Sequence, residues 1–151
     1  MHTRSALRDP VTNLPQQTGA LPWRRRGKKL QVLLVTGRLS KRWTVPKGWP
    51  MFGKTLAEAA ACEAYEEAGV KGVAEVEPIG RFDHTKTHSQ LGMLDVTILV
   101  HALEAKRVLS SWPEKADRDR RWLDIDEAAE LVQNPQLREI LLGFGATLRR
   151  R

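Results

Sequence analysis

From Thr55 to Val70 the chain reads Thr-Leu-Ala-Glu-Ala-Ala-Ala-Cys-Glu-Ala-Tyr-Glu-Glu-Ala-Gly-Val, a segment marked as a helix at both ends. Thr55 followed by Glu58 forms a capping box, which satisfies two otherwise unpaired backbone N–H groups. The body is rich in alanine, the best helix former, and Gly69 is placed to take the left-handed turn that ends a helix. Ala57, Ala61, Ala64 and Ala68 make a stripe of small residues that lets the helix pack close against a sheet. On the opposite side Glu63, Glu66 and Glu67 stand at i, i+3 and i+4, within an arc of roughly 100°. Like charges at these spacings cost about 0.2–0.5 kcal/mol per pair. They also crowd the last turns, where the helix dipole disfavours negative charge. A hard divalent cation with oxygen ligands reverses both penalties. The competing reading is a solvated acidic face.

Upstream, the short apolar run 43–45 leads into Pro46-Lys47-Gly48-Trp49-Pro50, a rigid loop with glycine freedom. The local order is strand, loop, helix, with the acids at the loop–helix junction. Elsewhere, 30–36 reads as an apolar strand after a basic turn over 24–29. Residues 73–85 read as one or two strands bent near Pro78-Ile79-Gly80, and 93–102 as a further strand rich in β-branched residues. A loop over 110–119, a short strand over 121–123 and a short helix over 126–132 follow. Asn134 as N-cap and Pro135 at the first position open a last helix, in which Leu137, Ile140, Leu141, Phe144 and Leu148 keep a helical period. Helices flanking a central run of strands predict an α/β/α sandwich.

A length of 151 residues fits one domain that buries most of a core. The expected organisation is a flexible tail over 1–16, a single domain over 17–148 and a basic tail over 149–151. The stretch from Met1 to Gln17 is polar and lacks the apolar centre of a signal peptide. No apolar run approaches the roughly 18–20 residues that cross a membrane. The lone cysteine excludes an intramolecular disulfide, which suits a reducing cytoplasm. Cys62 reads as a small buried hydrophobe rather than a nucleophile. A formal net charge of +7 fits a polyanionic partner.

The stretch from Gly48 to Val70 resembles the Nudix box. Gly48, Glu63, Ala64, Glu66, Glu67, Gly69 and Val70 fall on it in register, while Lys54 and Cys62 replace its first Glu and its Arg. The likeness extends over roughly residues 18–145. Leu33-Leu34-Val35-Thr36-Gly37-Arg38, Arg42-Trp43-Thr44-Val45-Pro46 and Arg120-Arg121-Trp122-Leu123-Asp124-Ile125-Asp126-Glu127-Ala128-Ala129 are similar to the diphosphoinositol polyphosphate phosphohydrolase branch. Pro46-Lys47-Gly48 is similar to diadenosine tetraphosphate hydrolases.

The resemblance implies an α/β Nudix fold with a central mixed sheet, and a Mg²⁺-dependent phosphoanhydride hydrolase, with Mn²⁺ as an alternative ion. It implies Glu63, Glu67 and the Gly48 carbonyl as metal ligands and Glu66 as general base. One further acid from a distant loop is expected, with Glu114, Asp117 and Asp119 as candidates. Arg38, Lys47 and either Arg118 or Arg120 are expected to clamp phosphates, and Trp49 to touch the substrate. The charge favours a diadenosine polyphosphate or a diphosphoinositol polyphosphate over a nucleotide sugar. Two other readings are an RNA 5′-pyrophosphohydrolase, which a pI near 10.0 favours, and a domain that binds a phosphate ligand without catalysis.

Overall fold

In the computed structural model, residues 7–88, 90 and 92–150 are described, the side chain of His88 excepted. In chain order the elements are β1 (Gln16–Arg26), β2 (Lys29–Thr36), β3 (Trp43–Thr44), β4 (Lys47–Gly48), α1 (Leu56–Ala68), β5 (Val70–Lys71), β6 (Gly80–His88), β7 (Gly92–Glu104), β8 (Arg107–Val108), β9 (Arg120–Asp124), α2 (Ile125–Leu131) and α3 (Pro135–Arg149). The main sheet has 7 strands in the order β3-β2-β1-β7-β6, with β4 paired to β1 and β9 to β2. Among the described residues only β1 and β7 run parallel, with Thr18 opposite Leu99, so the sheet is mixed. Strands β5 and β8 form a separate antiparallel pair.

Both faces of the sheet are covered, which is why its central strands read as near-continuous apolar runs. One face buries Leu21, Trp23, Val32, Leu34, Ile98 and Val100 against α2 and α3. The other buries Ala20, Leu33, Val35 and Leu103 against Ala57, Ala60, Ala64 and Ala68 of α1. This is the expected α/β/α sandwich. Both arms of the capping box are formed, and Gly69 takes φ 66° beyond the helix end. The small side chains let α1 lie close enough for the Thr18 hydroxyl to donate to the Leu56 carbonyl at 2.7 Å. At the other helix, the Asn134 side chain accepts from Gln136 and Leu137 N–H, with Pro135 at the start.

The strand expected over 73–85 begins only at Gly80, with Ala74 in an isolated bridge to Leu103, and three further expectations change. The stretch expected as a tail over 1–16 runs into β1, which takes Gln16. Residues 7–15 form a turn in which Arg8 bridges Pro15, and the Asp9 carboxylate accepts the Val11 and Thr12 N–H groups at 2.8 and 3.1 Å. Residues 1–6 lie outside the described residues. The basic turn shrinks to Gly27-Lys28, because β1 runs through Pro22 to Arg26 and is held by pairing on both sides, Trp23 opposite Val32 and opposite Glu104. Of the basic tail, Arg149 is the last residue of α3 and Arg151 lies outside the described residues.

Candidate active site

The acids project from α1 toward β4. Gly48 of β4 is a cradle: a β-carbon there would collide with the Glu63 carboxylate, so only glycine lets that side chain lie against the strand. Glu67 is 5% exposed. Its Oε1 accepts the Lys47 N–H at 3.3 Å, and its Oε2 lies 3.6 Å from the Arg118 guanidinium. Burial, and then the charges of Glu67 and Glu66, push the Glu63 carboxyl up to about 8. Burial also raises Glu67, against the opposing pull of Arg118 and Lys47. Two carboxyls held this way resist ionising together until a cation joins them.

A cleft of about 980 Å³ opens from these acids along β4 and β6. Its lining includes Gly48, Glu63, Glu66 and Glu67 at one end, and Trp49, His84 and Lys86 along the strands. Burial lowers the Lys47 and Lys86 ammonium groups, although Glu67 pulls both upward. Burial, with Lys47, Lys86 and Arg42 nearby, drops His84 to about 4, leaving a neutral imidazole at neutral pH. Lys86 Nζ stands 5.0 Å over the Trp49 ring. Trp43 is partly buried against the core and also lines the cleft.

Among the three candidates for a further acid, the fold brings Glu114 into the lining. Its backbone N–H donates to the Glu66 carbonyl at 3.0 Å, and its side chain accepts from Arg118 Nε at 2.7 Å and Arg38 Nη2 at 3.1 Å. Asp117 pairs with Arg38 at 3.5 Å, outside the cleft lining. Asp119 is exposed, its backbone tied to Thr36. Of the phosphate-clamp candidates, Lys47, Arg38 and Arg118 line the cleft. Arg120 does not; its guanidinium donates to the Ala68 and Leu109 carbonyls behind α1. Cys62 is free and half-buried, and Lys54 is exposed. His101 is buried, with Nδ1 2.9 Å from the Glu75 carbonyl, consistent with a structural role. Lys86 and His84 have no local signature in the sequence, because their place in the site depends on β6 lying beside β7.

The donor set fits a hard cation. Among the described residues no three His, Cys, Asp or Glu side chains stand as a complete cage. Magnesium, however, is commonly held by one or two carboxylates, with waters and substrate phosphates completing its shell. Glu63, Glu67 and the backbone of the Gly48 cradle match that mode.

Comparison with known proteins places the chain among relatives. A family model described as NUDIX domain matches residues 14–144. Nudix hydrolase 13, mitochondrial, of Arabidopsis thaliana is 37% identical over 122 residues, covering 77% of this chain and 60% of that protein. Diphosphoinositol polyphosphate phosphohydrolase 3-beta of Bos taurus is 29% identical over 106 residues, covering 68% of this chain and 60% of that protein. The chain thus spans about 60% of the length of these two relatives. The solved structure of a C. elegans Ap4A hydrolase superposes with a TM-score of 0.63 at 20% identity, covering 88% of this chain and 97% of that one.

Proposed function

The chain belongs to the Nudix family, and on that footing we propose that it hydrolyses phosphoanhydride bonds with a divalent cation, Mg²⁺ first among the candidates. The substrate class we propose is a diadenosine polyphosphate or a diphosphoinositol polyphosphate. The observation that carries this reading is the pairing, within one cleft, of a buried carboxylate pole with a wall of cations at Lys47, Lys86, Arg118 and Arg38. A nucleotide sugar, with two phosphates, meets fewer of these cations.

In this reading Glu63, Glu67 and the Gly48 carbonyl hold the cation. When bound, such an ion neutralises phosphate charge and acidifies a coordinated water. Glu66 accepts the proton from the attacking water at its carboxylate, a role that keeps it off the ion. Lys47 and Lys86 meet non-bridging phosphate oxygens as point charges, while Arg38 and Arg118 offer paired N–H groups. Arg118 is already engaged by Glu67 and Glu114, so phosphate binding there is an exchange of partners. Trp49 packs against the core, carries Lys86 over its ring and lines the cleft, where we place it against the substrate.

The test is product analysis with Mg²⁺, separating nucleotides, inositol phosphates, sugar phosphates, phosphate and pyrophosphate, across diadenosine polyphosphates, diphosphoinositol phosphates, nucleotide sugars and 5′-triphosphorylated RNA, with Glu66→Gln and Glu67→Gln in parallel. We expect cleavage of one of the first two classes and a loss of about 10²- to 10⁴-fold in kcat for Glu66→Gln. Cleavage of RNA alone would replace the substrate class. Ligand binding with no turnover of anything would replace the enzyme with a sensor.

A further inference from the structure

The acids at the end of α1 sit on its negative pole, and no basic residue lies in its own last turn. The last carbonyls of a helix also need partners from outside it. Here they come from one segment, 109–120. Arg120 Nη1 donates to the Ala68 carbonyl at 2.8 Å and Nη2 to the Leu109 carbonyl at 2.6 Å. Trp112 Nε1 donates to the Glu67 carbonyl at 3.1 Å. The Glu114 N–H takes the Glu66 carbonyl and the Leu109 N–H the Gly69 carbonyl. The Arg120 guanidinium lies 3.8 Å over the Trp112 ring, and a β-carbon on Gly69 would strike both side chains. A planar guanidinium stacked this way is fixed in orientation as well as charge.

We infer that Arg120, acting through Trp112, is a positioning residue. It clamps segment 109–118 onto the C-terminal end of α1 and so sets the spacing of Glu66, Glu67, Glu114 and Arg118 in the cleft. The consequence for catalysis rests on the hydrolase reading above. The clamp explains how Glu114 and Arg118, remote in sequence from α1, come to face its acids. Without it the last turn frays, and Glu66 and Glu67 are the residues that move.

The experiment compares the full chain with Arg120→Met, Arg120→Lys and Trp112→Phe. Three quantities are read: amide exchange at Glu114 and Leu109, Mn²⁺ affinity without substrate, and the separate values of kcat and KM. For Arg120→Met we expect faster exchange at both amides, a drop in Mn²⁺ affinity of about 10- to 100-fold, and a loss carried by kcat rather than KM. Arg120→Lys, which keeps the charge but not the fork, should recover part of each. If Arg120→Met fails to fold, Trp112→Phe, which deletes the bond to Glu67 and shrinks the ring beneath Arg120 while keeping the guanidinium, should move the same quantities less far. Unchanged exchange and unchanged Mn²⁺ affinity, with any lost activity tracking the folded fraction, would overturn the clamp. A wild-type chain that binds no Mn²⁺, while the variant still frees both amides, would sink the hydrolase reading and leave the clamp standing.

Discussion

Asp9 holds its carboxylate at 1% exposure, with Arg81 Nη1 at 3.3 Å. Burial alone would raise its pKa; hydrogen bonds from the Thr12 and Val11 N–H groups and the Arg81 charge more than offset that, and it falls below the ordinary 3.8. A carboxylate held low in the folded state contributes stability above its unfolded pKa, and that contribution is lost as pH drops through the folded value. Asp9→Asn should therefore lower stability by about 1–3 kcal/mol near pH 7. The gap from wild type should narrow as pH falls below about 4, read from denaturant midpoints at several pH values. A constant gap would show that the neutral side chain does the work. The Val11 and Thr12 bonds are local to Asp9-Pro10-Val11-Thr12, but the charged partner Arg81 arrives from β6 and had no sign in the sequence. The same holds for Lys86 in the cleft, whereas Glu63, Glu66 and Glu67 were legible because their spacing is local.

Helix α1 and strand β1 differ in the same way. Both ends of α1 are specified by neighbours in sequence, the Thr55–Glu58 box and Gly69, and both formed where expected. Removing the first with Thr55→Ala should cost about 1 kcal/mol. Gly69→Ala should cost more: left-handed backbone costs an L-residue about 1–2 kcal/mol, and its β-carbon meets Trp112 and Arg120. Denaturant titrations at equal slope check the order, and Thr55→Ala proving the more damaging would contradict it. By contrast, Gln16-Gln17-Thr18-Gly19-Ala20-Leu21-Pro22 has neither alternation nor strand propensity. It is a strand because β2, β4 and β7 supply partners on its two edges. Pro22 is tolerated there although proline cannot donate to a ladder.

Across the molecule, the charge of +7 coexists with an acidic site in which Glu67 is buried and Glu63 and Glu66 are half-buried. Long-range attraction should speed the capture of the polyphosphorylated substrate proposed above. We expect kcat/KM to fall by about tenfold between about 0.01 and about 0.5 M salt, with kcat little changed, because screening acts on encounter rather than on the buried chemistry. Lys86→Ala should lower kcat/KM and flatten that dependence; an unchanged slope would place the steering charge elsewhere. The caps of α1, the register of its three glutamates and the period of α3 were legible in the chain, since each rests on residues within a turn or two of one another, and the sandwich architecture was legible from the order of helices and strands. Strand order, the path of β1, the choice of Glu114 over Asp117 and Asp119, and the diversion of Arg120 from the cleft to the end of α1 were not. Those depend on which distant segments share a sheet edge or a helix end, and that is settled by burial and backbone pairing summed over the whole fold.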